Sequence, residues 1–293
     1  MVEQTIVEFI DYLKNVKEAS ENTILSYSQD LEKFRIYLSE HNVTAFDQVT
    51  ETFLTSYVLF LEKNLKSATV ARNLVTIKAF FLYLIKKRFI EEDPTERIKS
   101  PKVVKKAPVN LSVDEVEALL SAPNEETWIG KRDKAMFEIL YATGIKSSEI
   151  IQLTIHDINM QYNILTCVGV KKNRVIPFGE NAKLALEQYL FSSREELMGE
   201  KEHEYLFVNR SGDPLTRQGF WKIIKRYATE NGIENVTPQS LRNSFAVHLI
   251  ANGANVTSVG DMLGYSNSSM AYIYANSKDT RIRDEYMKAH PRA

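Results

Sequence analysis

Cysteine is nearly missing from this chain. Cys167 is the only one among 293 residues. That excludes a disulfide framework and a cysteine-based zinc site, and makes a reducing cytoplasm the default compartment. The five histidines, His41, His156, His203, His248 and His290, share no metal-ligand spacing, so neither a structural nor a catalytic metal is expected. No uninterrupted apolar run reaches the roughly 18 residues of a membrane span, so no membrane partner is expected. The opening MVEQTIVEFIDYLK has no basic start and carries acids inside its apolar pattern, unlike a signal peptide. Also lacking are internal repeats, low-complexity tracts and a glycine-rich loop ending in Lys-Ser/Thr. The last absence leaves nucleotide-driven chemistry without support.

What is present is enough to fold. Hydrophobic residues make up 44% and aromatics 10%, which supplies real cores, and the length suits one large domain or two ordinary ones. Net charge is only −1, a poor general sign for nucleic-acid binding, but it is unevenly spread. Residues 1–62 hold 4 Lys/Arg against 11 Asp/Glu, a net of −7. Residues 63–106 hold 12 against 4, a net of +8. Such a dipole suits a face that meets phosphate backbone. Taken alone, a solvated lysine-rich face is the plainer reading of the same charges.

The first hundred residues carry helical periodicity throughout. Ile6, Phe9, Ile10 and Leu13 recur at i, i+3, i+4, i+7. Ser20 suits the N-cap of a second helix with Ile24, Tyr27, Leu31, Phe34 and Leu38 inward. Thr50 suits the cap of a third, and Ser67 opens a fourth with Val70, Leu74, Ile77, Phe81 and Leu84 inward. Four helices on short links predict a small bundle. KSPKVVKKAP (Lys99 to Pro108) then reads as a connector, equally a plain solvated linker and a strap for phosphates.

Beyond it, Ser112-Val-Asp-Glu115 forms a capping box, and Lys131 to Thr143 predicts a helix stopped by Gly144. SSEIIQL (Ser147 to Leu153) begins another short one. Ile155 to Gly179 is β-branched and turn-rich, and predicts two or three short strands. Helices return at Ala182–Phe191, Arg217–Asn231, Pro238–Ala251 and Val256–Leu263, with a short piece around Ser268–Ala275. The tail from Lys278 has only Ile282, Tyr286 and Met287 as an apolar edge. It would need this protein or a neighbour to dock on.

Four stretches together resemble the tyrosine recombinase (phage integrase-like) family, and its Xer branch in particular. ILYATGIKSSEIIQL (Ile139 to Leu153) is similar to the family's first arginine box. KKNRVIPFG (Lys171 to Gly179) is similar to the hairpin with the catalytic lysine. TPQSLRNSFAVHL (Thr237 to Leu249) is similar to the second box. MLGYSNSSMAYIY (Met262 to Tyr274) is similar to the Leu-Gly-His turn and nucleophile segment, and the closing His290 to Ala293 resembles the Xer C-terminus. The likeness covers nearly the whole chain. It implies a mainly α fold: an N-terminal helical core-binding (SAM-like) domain over 1–98, a basic linker over 99–109, and a mainly helical catalytic-fold domain with a small β-sheet over 110–293. The implied assembly is a C-shaped clamp on duplex DNA, working as a homo- or hetero-oligomer held through the C-terminal tail.

The implied chemistry is attack of a tyrosine hydroxyl on the scissile phosphate, giving a 3′-phosphotyrosine and a free 5′-hydroxyl. Energy is kept in the covalent link, so no cofactor is implied. Residue by residue, the nucleophile falls on Tyr274, ten positions after Gly264, and the second-box arginine on Arg242. The first-box arginine is Lys146, which keeps the charge and loses the planar fork. Gln239, Asn243 and Tyr265 stand where family members carry histidines. The hairpin is one residue short, so its lysine is Lys171 or, alternatively, Lys172. Lys66, Arg72, Lys78, Arg217 and Lys222 are the candidate DNA contacts. The resulting expectation is a DNA-binding, Xer-like protein of DNA recombination or integration whose strand cleavage is weakened. The rivals are a competent recombinase with a remodelled or partner-completed site, and a non-catalytic protein-interaction module. Without the motifs, Tyr274 would read as a packing aromatic and Arg242 as an arginine bonding helix ends; Trp221 reads as core.

Overall fold

The computed structural model describes residues 2–103, 109–168, 173–264 and 288–292. The chain divides into two compact units, Met1–Lys106 and Ala107–Ala293.

The first unit is a helical bundle of α1 (Val2–Asn15), α2 (Glu21–Glu40), α3 (Glu51–Asn64) and α4 (Ser67–Lys86). Ser20 accepts from the Thr23 N–H at 3.3 Å and Thr50 from the Phe53 N–H at 3.2 Å, so α2 and α3 each begin on a short polar cap. Phe9, Phe34, Tyr57, Ile77, Phe80 and Phe81 fill the centre. α4 is apolar enough, at a mean hydropathy of 1.4 over a long enough stretch, to match a membrane span by composition; half of that stretch is buried inside the unit. Arg72, Asn73, Thr76 and Lys78 interrupt its apolar residues, so the stretch is not an uninterrupted apolar run. The wholly buried Asp30 carboxylate takes Arg72 in a two-pronged pair at 2.5 and 2.8 Å and the Thr76 hydroxyl at 2.9 Å.

The second unit is built on α6 (Trp128–Thr143), buried along almost its whole length. Around it lie α5 (Val113–Ser121), α7 (Ser147–Ile150), α8 (Glu180–Ser192), α9 (Arg194–Met198), α10 (Arg217–Glu230), α11 (Pro238–Ala251) and α12 (Val256–Leu263). Strands β1 (Ile158–Asn159), β2 (Ile164–Cys167) and β3 (Arg174–Pro177) form an antiparallel sheet in that order, with Ile164 opposite Pro177 and Cys167 opposite Arg174. The mainly helical class with a small sheet agrees with the sequence reading. Two elements differ. α6 begins three residues earlier than Lys131, because Thr127 caps it through the Gly130 N–H at 3.0 Å. α9, with only five residues, has too short a period to be read from the sequence. The segment around Ser268–Ala275 lies outside the described residues.

Candidate phosphate-binding site

Three helix ends in the second unit set the site. α6 stops at Gly144, whose φ of +59° is left-handed and whose missing Cβ would sit 2.4 Å from the Phe245 ring. Thr237 caps α11 and Pro238 occupies its first turn, so Gln239, Arg242 and Asn243 project at i, i+3, i+4 from a fixed start. α12 stops at Gly264, φ +67°.

The last carbonyls of a helix have no partner within it. Two arginines supply those partners. Arg242, almost fully buried, donates from Nη1 to the Gly144 oxygen at 2.5 Å and from Nη2 to the Leu263 oxygen at 2.6 Å. Arg174 donates from Nε to the Met262 oxygen at 2.8 Å and grips Glu149 with both terminal nitrogens, at 2.9 and 2.6 Å. Glu149 also accepts the Lys146 backbone N–H at 2.7 Å, closing the first turn of α7. Burial alone would raise the Glu149 carboxyl; the Arg174 pair and the Lys146 N–H outweigh it and hold the group below its ordinary value, ionised at neutral pH. The Lys146 ammonium lies 3.9 Å from the same carboxylate and half exposed.

These residues border a cleft of about 370 Å³ lined by Lys146, Ser147, Ser148, Arg217, Trp221, Thr237, Pro238, Gln239 and Arg242. Among the described residues that line it, three side chains are cations and none is an acid. Gln239 donates to the Asn243 carbonyl at 2.9 Å, and Asn243 donates to the Val109 oxygen at 3.0 Å, so Asn243 is spent on holding the last residue of the linker. The structure thus brings Lys146, Gln239 and Arg242 together. Tyr265, Lys171, Lys172 and Tyr274 lie outside the described residues.

The candidate DNA contacts divide. Lys66 and Lys222 are exposed, Lys78 is half-buried, and Arg217 is exposed in the cleft. Arg72 is committed to Asp30 through both terminal nitrogens. Arg226, also on α10, pairs with buried Asp133 at 3.3 Å. Trp221 is nearly half exposed in the cleft, with the Lys225 ammonium 5.8 Å over its ring, and is not a core residue. Sequence reasoning missed the Arg174–Glu149 pair. Both residues sit inside recognised motifs, but their pairing spans 25 positions and has no local signature.

The closing residues dock on this same unit. Arg292 forks onto Glu138 at 3.1 and 2.6 Å and also reaches Glu117, and the Ala289 oxygen accepts from Asn252 at 2.8 Å. His290 is buried, its Nε2 3.2 Å from the Tyr141 oxygen, while the Tyr141 hydroxyl meets His248 Nδ1 at 2.8 Å. Burial, helped by Arg292 and His248, pushes His290 down to about 4. A histidine kept neutral in the fold stabilises it fully above its unfolded value near 6.5, and that contribution fades as pH falls from there toward 4. The melting temperature of the second unit should therefore drop between pH 7 and 5, with an effect on the order of 2 kcal/mol. The drop should shrink in His290→Phe; an unchanged pH slope in that variant would assign it elsewhere.

Residues 110–281 match the phage integrase family, and residues 6–88 match the phage integrase N-terminal SAM-like domain. Tyrosine recombinase XerD of Oceanobacillus iheyensis is 39% identical, covering all of both chains. XerD of Halalkalibacterium halodurans is 38% identical over all of this chain and 99% of that one. Among solved structures, the Tn1549 transposon integrase in complex with circular intermediate DNA superimposes with a TM-score of 0.74 at 19% identity, over 98% of each chain.

Proposed function

This chain belongs to the phage integrase family as a Xer-like tyrosine recombinase, and from that premise we propose that it binds duplex DNA with its scissile phosphate in the Lys146–Arg242 cleft, and that cleavage there is weak. The observation that carries the reading is the convergence of Lys146 and Arg242, 96 positions apart, on one cleft with no acid among its described lining residues, beside the end of α12, from which the chain continues to Tyr274. In the proposed step the Tyr274 hydroxyl gives its proton to solvent, its oxygen bonds to phosphorus and the bond to the 5′ oxygen breaks. The leaving oxygen takes a proton from the hairpin lysine, Lys171 or Lys172. Negative charge that builds on the nonbridging oxygens is met by Arg242 and Lys146. Lys146 offers a point charge where a planar fork would hold two oxygens. Gln239 donates a hydrogen bond but carries no proton. Those two losses, with Tyr265 and Asn243 in place of histidines, support impaired cleavage.

The solved relatives include a lambda integrase dimer bound to a COC′ core site. We propose similarly that this chain works as a homo- or hetero-oligomer on DNA through its C-terminal tail. On a nicked suicide substrate recovered by genome-wide footprinting, the parent should form little covalent adduct and Tyr274→Phe none, while both bind the DNA. Efficient adduct formation by the parent would overturn impaired cleavage. The competent-site reading has one observation in its favour, the third cation in the cleft. An interaction module without DNA binding would show no steep fall of duplex affinity with salt.

A further inference from the structure

Arg217 opens α10, a 14-residue helix, where the partial positive charge of the helix end disfavours a cation. Among the described residues it makes no hydrogen bond and no ion pair. The other arginines near this site are occupied. Arg174 is held by Glu149 and Met262, and Arg226 by Asp133. Arg217 lines the same cleft as Lys146 and Arg242, and among the described residues that lining has no carboxylate to balance three charges. The nearest acid to Lys146, Glu149, is already paired with Arg174. An exposed guanidinium at an unfavourable helix position, turned to a cleft of like charge, is stabilised when an anion enters.

We infer that Arg217 is a third phosphate-binding residue of this cleft, supplying the planar two-donor fork that Lys146 lacks. Lys146 then neutralises charge from the α7 side, Arg242 from the start of α11, and Arg217 grips two oxygens from the start of α10. Trp221, one turn along α10 and exposed in the same cleft, offers an apolar wall on which a sugar or base beside the phosphate can rest. The inference rests on the proposed reading of the cleft as the scissile-phosphate site, and it makes α10 part of that site rather than only a groove-facing helix.

The test uses the full chain carrying Trp128→Phe, which leaves Trp221 as the sole tryptophan. Thymidylyl-(3′→5′)-thymidine, with one phosphodiester, is titrated and followed by Trp221 fluorescence and by calorimetry; thymidine is the uncharged control. The dinucleotide should bind saturably and thymidine should not. Arg217→Ala should weaken the dinucleotide about tenfold or more, and Arg217→Lys less, because one charged contact survives. Lys183→Ala on α8, which removes one positive charge outside the cleft, should stay within about twofold of the parent, since distant surface charges are screened. Dinucleotide binding in Arg217→Ala equal to the parent's overturns the inference. So does equal binding of dinucleotide and thymidine in the parent; steeply salt-dependent binding of duplex DNA, measured alongside, would then leave the broader DNA-binding reading standing.

Discussion

Replacing Lys146 by arginine, together with Gln239→His and Tyr265→His, should raise the rate of covalent adduct formation on nicked target DNA by at least about 100-fold. The size follows from what each change restores. A preorganised donor aimed at the developing oxyanion contributes about 100- to 1,000-fold in rate when it is removed singly. Lys146 can make one such contact where a guanidinium makes two, and its present neighbour, the Glu149 carboxylate at 3.9 Å, competes for its charge. The triple variant should exceed each single one without reaching the product of their effects, because groups that act on one phosphate do not add. Arg217 sharpens the test. If it already supplies the missing fork, Lys146→Arg alone should gain little and the histidines should carry most of the increase. A triple variant that cleaves no faster than the parent would place the limit outside these substitutions.

How much of this was legible in the sequence depended on distance along the chain. Caps are local, so Ser20, Thr50, the Ser112–Glu115 box and Gly144 fixed their helix ends in advance. The ranges of α11 and α12 were readable to the residue, because Pro238 and Gly264 mark their ends. The fate of charged side chains was not readable. Arg72 and Arg217 look alike as basic residues near helix starts. One is consumed by Asp30, 42 positions away, and the other has no such partner among the described residues. Trp221 was misplaced for a related reason: a tryptophan at a helical spacing fits either a core stripe or a cleft wall, and only the packing of Phe220 and Ile224 inward decides which face it takes. The Arg174–Glu149 pair needed β3 beside α7, a tertiary fact that spacing does not contain.

Arg242→Ala is the substitution expected to do most damage, and the reason is that the residue has two tasks. It lines the cleft, and its guanidinium holds the Gly144 and Leu263 oxygens, the ends of α6 and α12. Truncation leaves two buried carbonyls without their charged donors, a loss of about 3–5 kcal/mol by the usual size of such contacts. In a unit of this size that lowers the melting temperature by roughly 10 °C. Cleavage should fall further than stability explains, because the clamp on the phosphate is lost and the exit of α12 toward Tyr274 loses its anchor. Arg242→Lys separates the two tasks. A lysine can reach one carbonyl or one phosphate oxygen, so the melting point should recover in part while adduct formation stays low. If Arg242→Ala melts with the parent, the carbonyl bonds contribute nothing measurable and the residue serves the phosphate alone. If it melts early but binds DNA carrying a central phosphate as the parent does at temperatures where it remains folded, Arg242 is a helix-end residue and the phosphate must be held by Lys146 and Arg217.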